Sequence, residues 1–190
     1  DRPALVVAPT SLLLNWAAEA RRMAPGLRVH LWHGAQRQQH AGCLQQVDLI
    51  LTSYPLLWRD GAVFEALPVH LLVLDEAQTV KNAGSRAAAA VRQVPARHRL
   101  CLSGTPLENH LGELWAQFDF LMPGFLGDWR SFQRRWRDPI EKNGESVRAQ
   151  LLAGRVRPFI LRRRKAEVAD ELPPCTDVIQ AVELEGAQRR

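Results

Sequence analysis

Two adjacent carboxylates, Asp75 and Glu76, follow the apolar run Leu71–Leu74 in "LLVLDEAQTVKN". Four such residues can be buried on both faces of a parallel sheet. The acids then sit where the strand emerges, the edge at which open α/β sheets bind ligands. Two readings compete for the pair. In ATPases a carboxylate at a strand end holds Mg²⁺ together with substrate phosphates, and a neighbouring Glu can polarise the attacking water as a general base. The plain alternative is an exposed acidic turn, and the pair alone does not separate the two.

Three further stretches place hydroxyls directly after strand-like runs. In "CLSGTPLEN", Thr105-Pro106-Leu107-Glu108 fits a capping box, with Thr at N-cap, Pro at N1 and Glu at N3. That box does not account for Ser103 and Gly104, a short hydroxyl and a flexible backbone able to respond to a bound phosphate. In "APTSLLLNW", Thr10 or Ser11 is a good N-cap, and a helix start offers free N–H groups to an anion. "LTSYPLL" repeats the pattern, with Thr52, Ser53 and Tyr54 ahead of Pro55. Two such helix starts on one sheet edge could follow successive phosphates of a nucleic-acid strand. For the APTSLLLNW start in isolation, plain capping is the simpler reading. A fourth stretch, "FILRRRKAEVADELPP", gathers Arg162, Arg163, Arg164 and Lys165. It reads either as a phosphate-binding cluster or as a solvated face paired with Glu167, Asp170 and Glu171.

The elements that must carry these groups alternate. Strand-like runs lie at Leu5–Ala8, Val29–Trp32, Val47–Leu51, Val69–Leu74 and Arg99–Leu102. Between them Leu12, Leu13, Trp16, Ala17, Ala20 and Met23 form one helical stripe, which stops before Pro25-Gly26. Leu111, Leu114, Trp115, Phe118, Leu121 and Met122 form a second. Alternation of this kind predicts a parallel sheet covered on both faces. After Pro123-Gly124 the chain turns rich in Arg and Trp, and two helices broken near Asn143-Gly144 are expected. The last segment, "CTDVIQAVEL", alternates like a strand and reads as the start of another domain.

Composition narrows the classes. The 190 residues are 46% hydrophobic, enough for one domain with an appendage. A net charge of +5, carried almost wholly by arginine, permits a polyanionic partner without demanding one. Cys43, Cys101 and Cys175 are widely spaced and lack any CxxC pairing, which excludes a disulfide framework or zinc site and fits reduced, cytosolic thiols. No apolar run approaches membrane-spanning length. The opening "DRPALVVAPT" has no initiator Met and enters a strand at once, as a piece of a longer chain would.

Taken in order, APTSLLLNW, LTSY, LDEAQTVKN, LSGTPLEN and LRRRKAEVADELPP resemble the first motor lobe of the Swi2/Snf2 ATPases, a branch of superfamily 2 translocases. "DEAQTVKN" and "FLMPGFLGDWRSFQRRWRDPIEKNG" look most like the prokaryotic members. The resemblance implies a RecA-like parallel sheet flanked by helices over 1–127, a helical protrusion over 128–160, a connector over 161–174 and the start of a second lobe over 175–190. It implies that Asp75 holds Mg²⁺ of bound ATP and that Glu76 activates water. Gln78, where many relatives have His, would link the nucleotide to Ser103, Gly104 and Thr105. Pro9, Thr10, Ser11, Thr52, Ser53 and Tyr54 would lie along double-stranded DNA, with Arg162–Lys165 as further contacts. The implied setting is a bacterial cytoplasm and its nucleoid, with no membrane partner.

The resemblance also exposes an absence. Such motors need a glycine-rich phosphate loop, and no G-x-x-x-x-G-K-[ST] occurs in these 190 residues. In the family that loop and its strand precede Leu5–Ala8, and a second lobe supplies an arginine finger. The expectation is a parent that couples ATP hydrolysis to movement on DNA, while this chain alone is inactive. A catalytically dead scaffold for nucleic acid or protein is the alternative from a different class. A motor acting on protein–DNA complexes, such as stalled RNA polymerase, shares every motif.

Overall fold

The computed structural model describes residues 2–82, 84–104 and 111–163. The chain divides into two compact units, the first Asp1–Ala149 and the second beginning at Gln150. In the first, five strands form one all-parallel sheet: β1 (Ala4–Ala8), β2 (Val29–Leu31), β3 (Leu49–Ser53), β4 (Val69–Leu74) and β5 (Ala96–Cys101), in the order β2-β3-β1-β4-β5. Register aligns Val7 with Thr52 on one side and Leu74 on the other. The carboxyl ends of β1, β3 and β4 therefore lie side by side, and Leu74 in turn aligns with Cys101 of β5.

Alternation along the strands explains why both sheet faces are covered. Leu5, Val7, Ile50, Leu72 and Leu74 point to one face. There they pack with α2 (Tyr54–Arg59), α3 (Gly61–Glu65), α4 (Arg86–Gln93) and Phe120 of α5 (Leu111–Leu121). Val6, Ala8, Leu51 and Val73 point to the other face, against Leu13 and Ala17 of α1 (Leu13–Met23). Each enclosed aliphatic side chain contributes about 1.5–3 kcal/mol, so the sheet supplies much of the hydrophobic stabilisation of the first unit. Ser85 caps α4 by accepting from the Ala88 N–H at 3.1 Å, and the alanine run continues the helix as expected.

Several sequence expectations shift. β3 runs two residues later than the apolar run suggested, because Thr52 and Ser53 are buried strand residues rather than a loop beyond it. β5 begins at Ala96, with polar side chains on an edge strand that hydropathy does not reveal. Met23 is exposed, so the α1 stripe ends at Ala20. α5 is buried nearly all round, including Phe120 and Glu113, where a single stripe was expected. Neither Thr10 nor Ser11 caps a helix. Residues Thr10–Leu12 form a 3₁₀ turn whose N-cap is Pro9, with no side-chain capping bond, and α1 follows on from it.

The arginine-rich segment is helical from Trp129, as α6 (Trp129–Phe132), a π-turn (Gln133–Arg137) and α7 (Asp138–Glu141). Pro139 lacks an N–H for the carbonyl of Arg135, four residues earlier. The wider turn accommodates the ring, and the Arg148 guanidinium donates to that carbonyl at 2.8 Å instead. The expected break follows, with Gly144 in the left-handed region at φ +66°. α8 (Ser146–Val156) comes next, then a 3₁₀ turn at Arg157–Phe159. Among the described residues no helix is long and apolar enough to cross a membrane.

Candidate active site at the carboxyl edge of the sheet

β4 delivers Asp75 to the edge with its own N–H bonded to the Val7 carbonyl at 2.8 Å. Its carboxylate accepts the Trp16 indole N–H at 2.7 Å on Oδ2 and the Glu76 backbone N–H at 2.9 Å on Oδ1. The Tyr54 hydroxyl donates to the Asp75 carbonyl at 2.7 Å. Burial, reinforced by nearby Cys101, Asp75 and Glu76, pushes the Tyr54 phenol well above its usual range, so it stays a donor. Burial likewise pushes the Cys101 thiol up to about 12, which keeps it protonated and unreactive.

Glu76 adopts a left-handed backbone, φ 49° and ψ 53°, alone among the described non-glycine residues. Such a conformation costs on the order of 1–3 kcal/mol and persists where surrounding bonds fix it. Here the Asp75 carboxylate holds the Glu76 N–H, and the Ala77 N–H donates to the Leu102 carbonyl at 3.0 Å. The twist turns the chain into a short 3₁₀ turn, Ala77–Val80, which brings Gln78 back over Glu76.

The side chains then form a chain of hydrogen bonds. Gln78 Nε2 donates to Glu76 Oε2 at 2.5 Å, and Ser103 Oγ donates to Gln78 Oε1 at 3.0 Å. Glutamine suits the middle position because its amide both donates and accepts. The ends of β4 and β5 are thus joined through Gln78, and all three side chains are half-buried.

Of the expected site residues, the structure gathers Asp75, Glu76, Gln78 and Ser103. Gly104 follows, exposed, and Thr105 lies outside the described residues together with its capping box. Pro9 is half-buried and Thr10 and Ser11 are exposed at the end of β1. Thr52, Ser53 and Tyr54 are buried, main chain included, at 0%, 1% and 4% exposure. Thr10 and Ser53 share a depression of about 310 Å³ with His33 and Arg59. In the second unit, Arg162 and Arg163 are exposed, and Arg164, Lys165 and Cys175 lie outside the described residues. Sequence reasoning missed Trp16 and the Tyr54 hydroxyl as partners of Asp75. The available signal was that a part-buried indole N–H on an apolar stripe needs an acceptor.

The donor set bears on Mg²⁺. Each Asp75 oxygen accepts one hydrogen bond and keeps another lone-pair direction, which suits a hard, oxygen-seeking cation. Among the described residues no group of three or more His, Cys, Asp or Glu could hold a metal by itself. The residues therefore fit a cation that brings its own phosphate ligands.

The five-stranded parallel sheet flanked by helices is a RecA-like lobe, with the acidic pair at its carboxyl edge. The SNF2-related domain family matches residues 1–190, and the chain belongs to that family. YwqA of Bacillus subtilis, a candidate ATP-dependent helicase/translocase, is 39% identical over 98% of this chain and 21% of its own length. The TATA-binding protein-associated factor MOT1 of Saccharomyces cerevisiae is 40% identical over 90% of this chain and 10% of its own. The SWI2/SNF2 ATPase core of Sulfolobus solfataricus, solved in complex with double-stranded DNA, superposes with a TM-score of 0.82. It is 36% identical, over 90% of this chain and 36% of that one. The chain thus spans about a fifth of YwqA and a tenth of MOT1.

Proposed function

We propose that this chain is part of the first lobe of an ATP-driven motor that moves along double-stranded DNA. The observation that carries the reading is the Glu76–Gln78–Ser103 chain, which ties the end of the acidic strand to the end of its neighbour. Asp75 would hold Mg²⁺ together with the nucleotide phosphates, an ion that would supply charge neutralisation for phosphoryl transfer. Glu76, fixed by its backbone twist and by Gln78, accepts the proton of the attacking water. Gln78 passes the state of that carboxylate to Ser103, Gly104 and Thr105. Pro9, Thr10 and Ser11 contact the DNA backbone, with Thr52, Ser53 and Tyr54 on the same track beneath them. The depression shared by Thr10, Ser53, His33 and Arg59 supports that arrangement, and Arg162–Lys165 add phosphate contacts.

The domain plan proposed with it is a lobe over 1–127, a protrusion over 128–160, a connector over 161–174 and a second lobe from 175. With no phosphate-loop motif among its 190 residues, this chain alone does not turn over ATP. The proposed setting is the bacterial nucleoid. A dead scaffold has no need of the Glu76–Gln78 bond or of a costly backbone at Glu76, which favours the motor. MOT1, named for its association with the TATA-binding protein, supports a second reading in which the motor's substrate is a protein–DNA complex.

The test is ATP turnover by the whole protein carrying this chain, with and without duplex DNA. DNA stimulation is expected, and Glu76→Gln should lower the stimulated rate roughly 10²–10⁴-fold. A whole protein indifferent to DNA sinks the proposal.

A further inference from the structure

Gln78 is not the only polar link to the acidic pair. Trp16 lies in the first turn of α1, directly after the Pro9–Ser11 segment, and its indole N–H reaches Asp75 Oδ2 at 2.7 Å. Tyr54 opens α2, directly after Thr52 and Ser53, and its hydroxyl reaches the Asp75 carbonyl at 2.7 Å. Both segments assigned above to DNA therefore end, within a few residues, in a hydrogen bond on the same aspartate. In sequence these partners are 59 and 21 residues from it.

Packing does not require the Trp16 bond. Leu13 and Ala17 make the buried contact of α1 with the sheet, and Trp16 is only half-buried beside them. What the indole adds is a charge-assisted donor aimed at one carboxylate oxygen in a partly desolvated site. With Oδ1 held by the Glu76 N–H, the second bond fixes the plane of the carboxylate and so decides which lone pairs remain for a cation. Metal-ligating carboxylates depend on such outer partners for their aim.

We propose that Trp16 is a positioning residue for Asp75, with Tyr54 as a second tie. Through it, DNA on the Pro9–Ser11 segment sets the aim of the carboxylate that holds the nucleotide's metal. This rests on the function proposed above, and it adds a route separate from Gln78 and Ser103.

Trp16→Phe keeps the ring and removes the N–H. In the whole protein it should raise the Mg²⁺ concentration for half-maximal ATP turnover roughly 10-fold, the lower end of what losing an outer-shell partner costs. It should also blunt stimulation by duplex DNA while leaving DNA affinity, measured without nucleotide, unchanged. A readout free of turnover comes from the tryptophan indole N–H signals in an NMR spectrum of the whole protein, six of them from this chain. The one missing in Trp16→Phe should shift in Asp75→Asn, and also when duplex DNA is added to the wild type. An active whole protein whose Mg²⁺ dependence and DNA stimulation survive Trp16→Phe, with the indole signal unmoved by DNA, overturns this proposal alone. A whole protein with no DNA-stimulated turnover overturns the motor reading and this proposal together.

Discussion

Trp32 donates its indole N–H to Asp60 at 2.9 Å, and Trp16 donates its own to Asp75 at 2.7 Å. The two aspartates share a donor type and differ in everything else. A carboxylate has about four lone-pair directions. Asp60 fills two on each oxygen: Trp32 Nε1 and Arg37 Nε on Oδ2, Arg37 Nη2 and Gln38 Nε2 on Oδ1. It is 5% exposed and carries its own countercharge in Arg37, 2.6 Å away. Asp75 fills one direction on each oxygen and is half-buried, and among the described residues no cation pairs with it. A saturated acid is a rivet, here pinning the 3₁₀ segment Arg37–Gln46 to α2. A half-saturated acid at a sheet edge is left with capacity for a ligand.

Stability separates the two most strongly. Asp60→Ala leaves the fully buried Trp32 indole N–H without its acceptor and should cost about 1–3 kcal/mol in urea denaturation. Asp75→Ala deletes two hydrogen bonds at an open edge and should cost about 1 kcal/mol. Equal losses would break the comparison.

Acid sharpens it next. The Arg37 hydrogen bonds, helped by Trp32 and Gln38, hold the Asp60 carboxyl below its ordinary value near 3.8. A depressed folded-state value stabilises the protein above the ordinary value, and that stability is lost as pH falls through the lower one. Between about pH 5 and the acid limit the wild type should therefore lose stability more steeply than Asp60→Asn. Matching slopes would mean Asp60 is not the pin.

The smallest effects belong to the link between strands. Gln78→Ala in the whole protein should reduce DNA stimulation of ATP turnover by about fivefold, the low end of typical coupling between sites. Ser103→Ala removes the far bond of the chain and should lower stimulation less than Gln78→Ala, with a stability change of about 1 kcal/mol. If neither variant alters stimulation, the Glu76–Gln78–Ser103 chain is only a brace.

The sheet was legible because its strands are short apolar runs, and β4 matches its run from Val69 to Leu74. β3 was misread at both ends because hydropathy discounts Thr52 and Ser53, which the fold buries. Asp75 and Glu76 stood out because adjacent acids after a buried strand can only emerge at its edge. The bonds that aim Asp75 were not legible. Periodicity recognises an apolar face and is blind to the one N–H on it, and the partners are brought together only by strand order. The same holds for Asp60, whose donors Trp32, Arg37 and Gln38 lie between two strands that say nothing about it. The helix start near Thr10 was misjudged because two hydroxyls after a proline satisfy a capping rule that the 3₁₀ turn at Pro9 makes unnecessary.

The π-turn at Gln133–Arg137 matters for anyone aligning this chain with its relatives. It amounts to one residue more than a regular helix needs over the same stretch. A sequence one residue shorter there could run straight through as α-helix, and every later position would be turned by about 100°. Arg137 would leave the face of Trp129, where its guanidinium sits 5.5 Å from the ring centre. Glu141 would leave the Leu111 N–H, which it now accepts at 2.6 Å at the start of α5. A single gap placed wrongly here pairs the right letters with the wrong side of the protein.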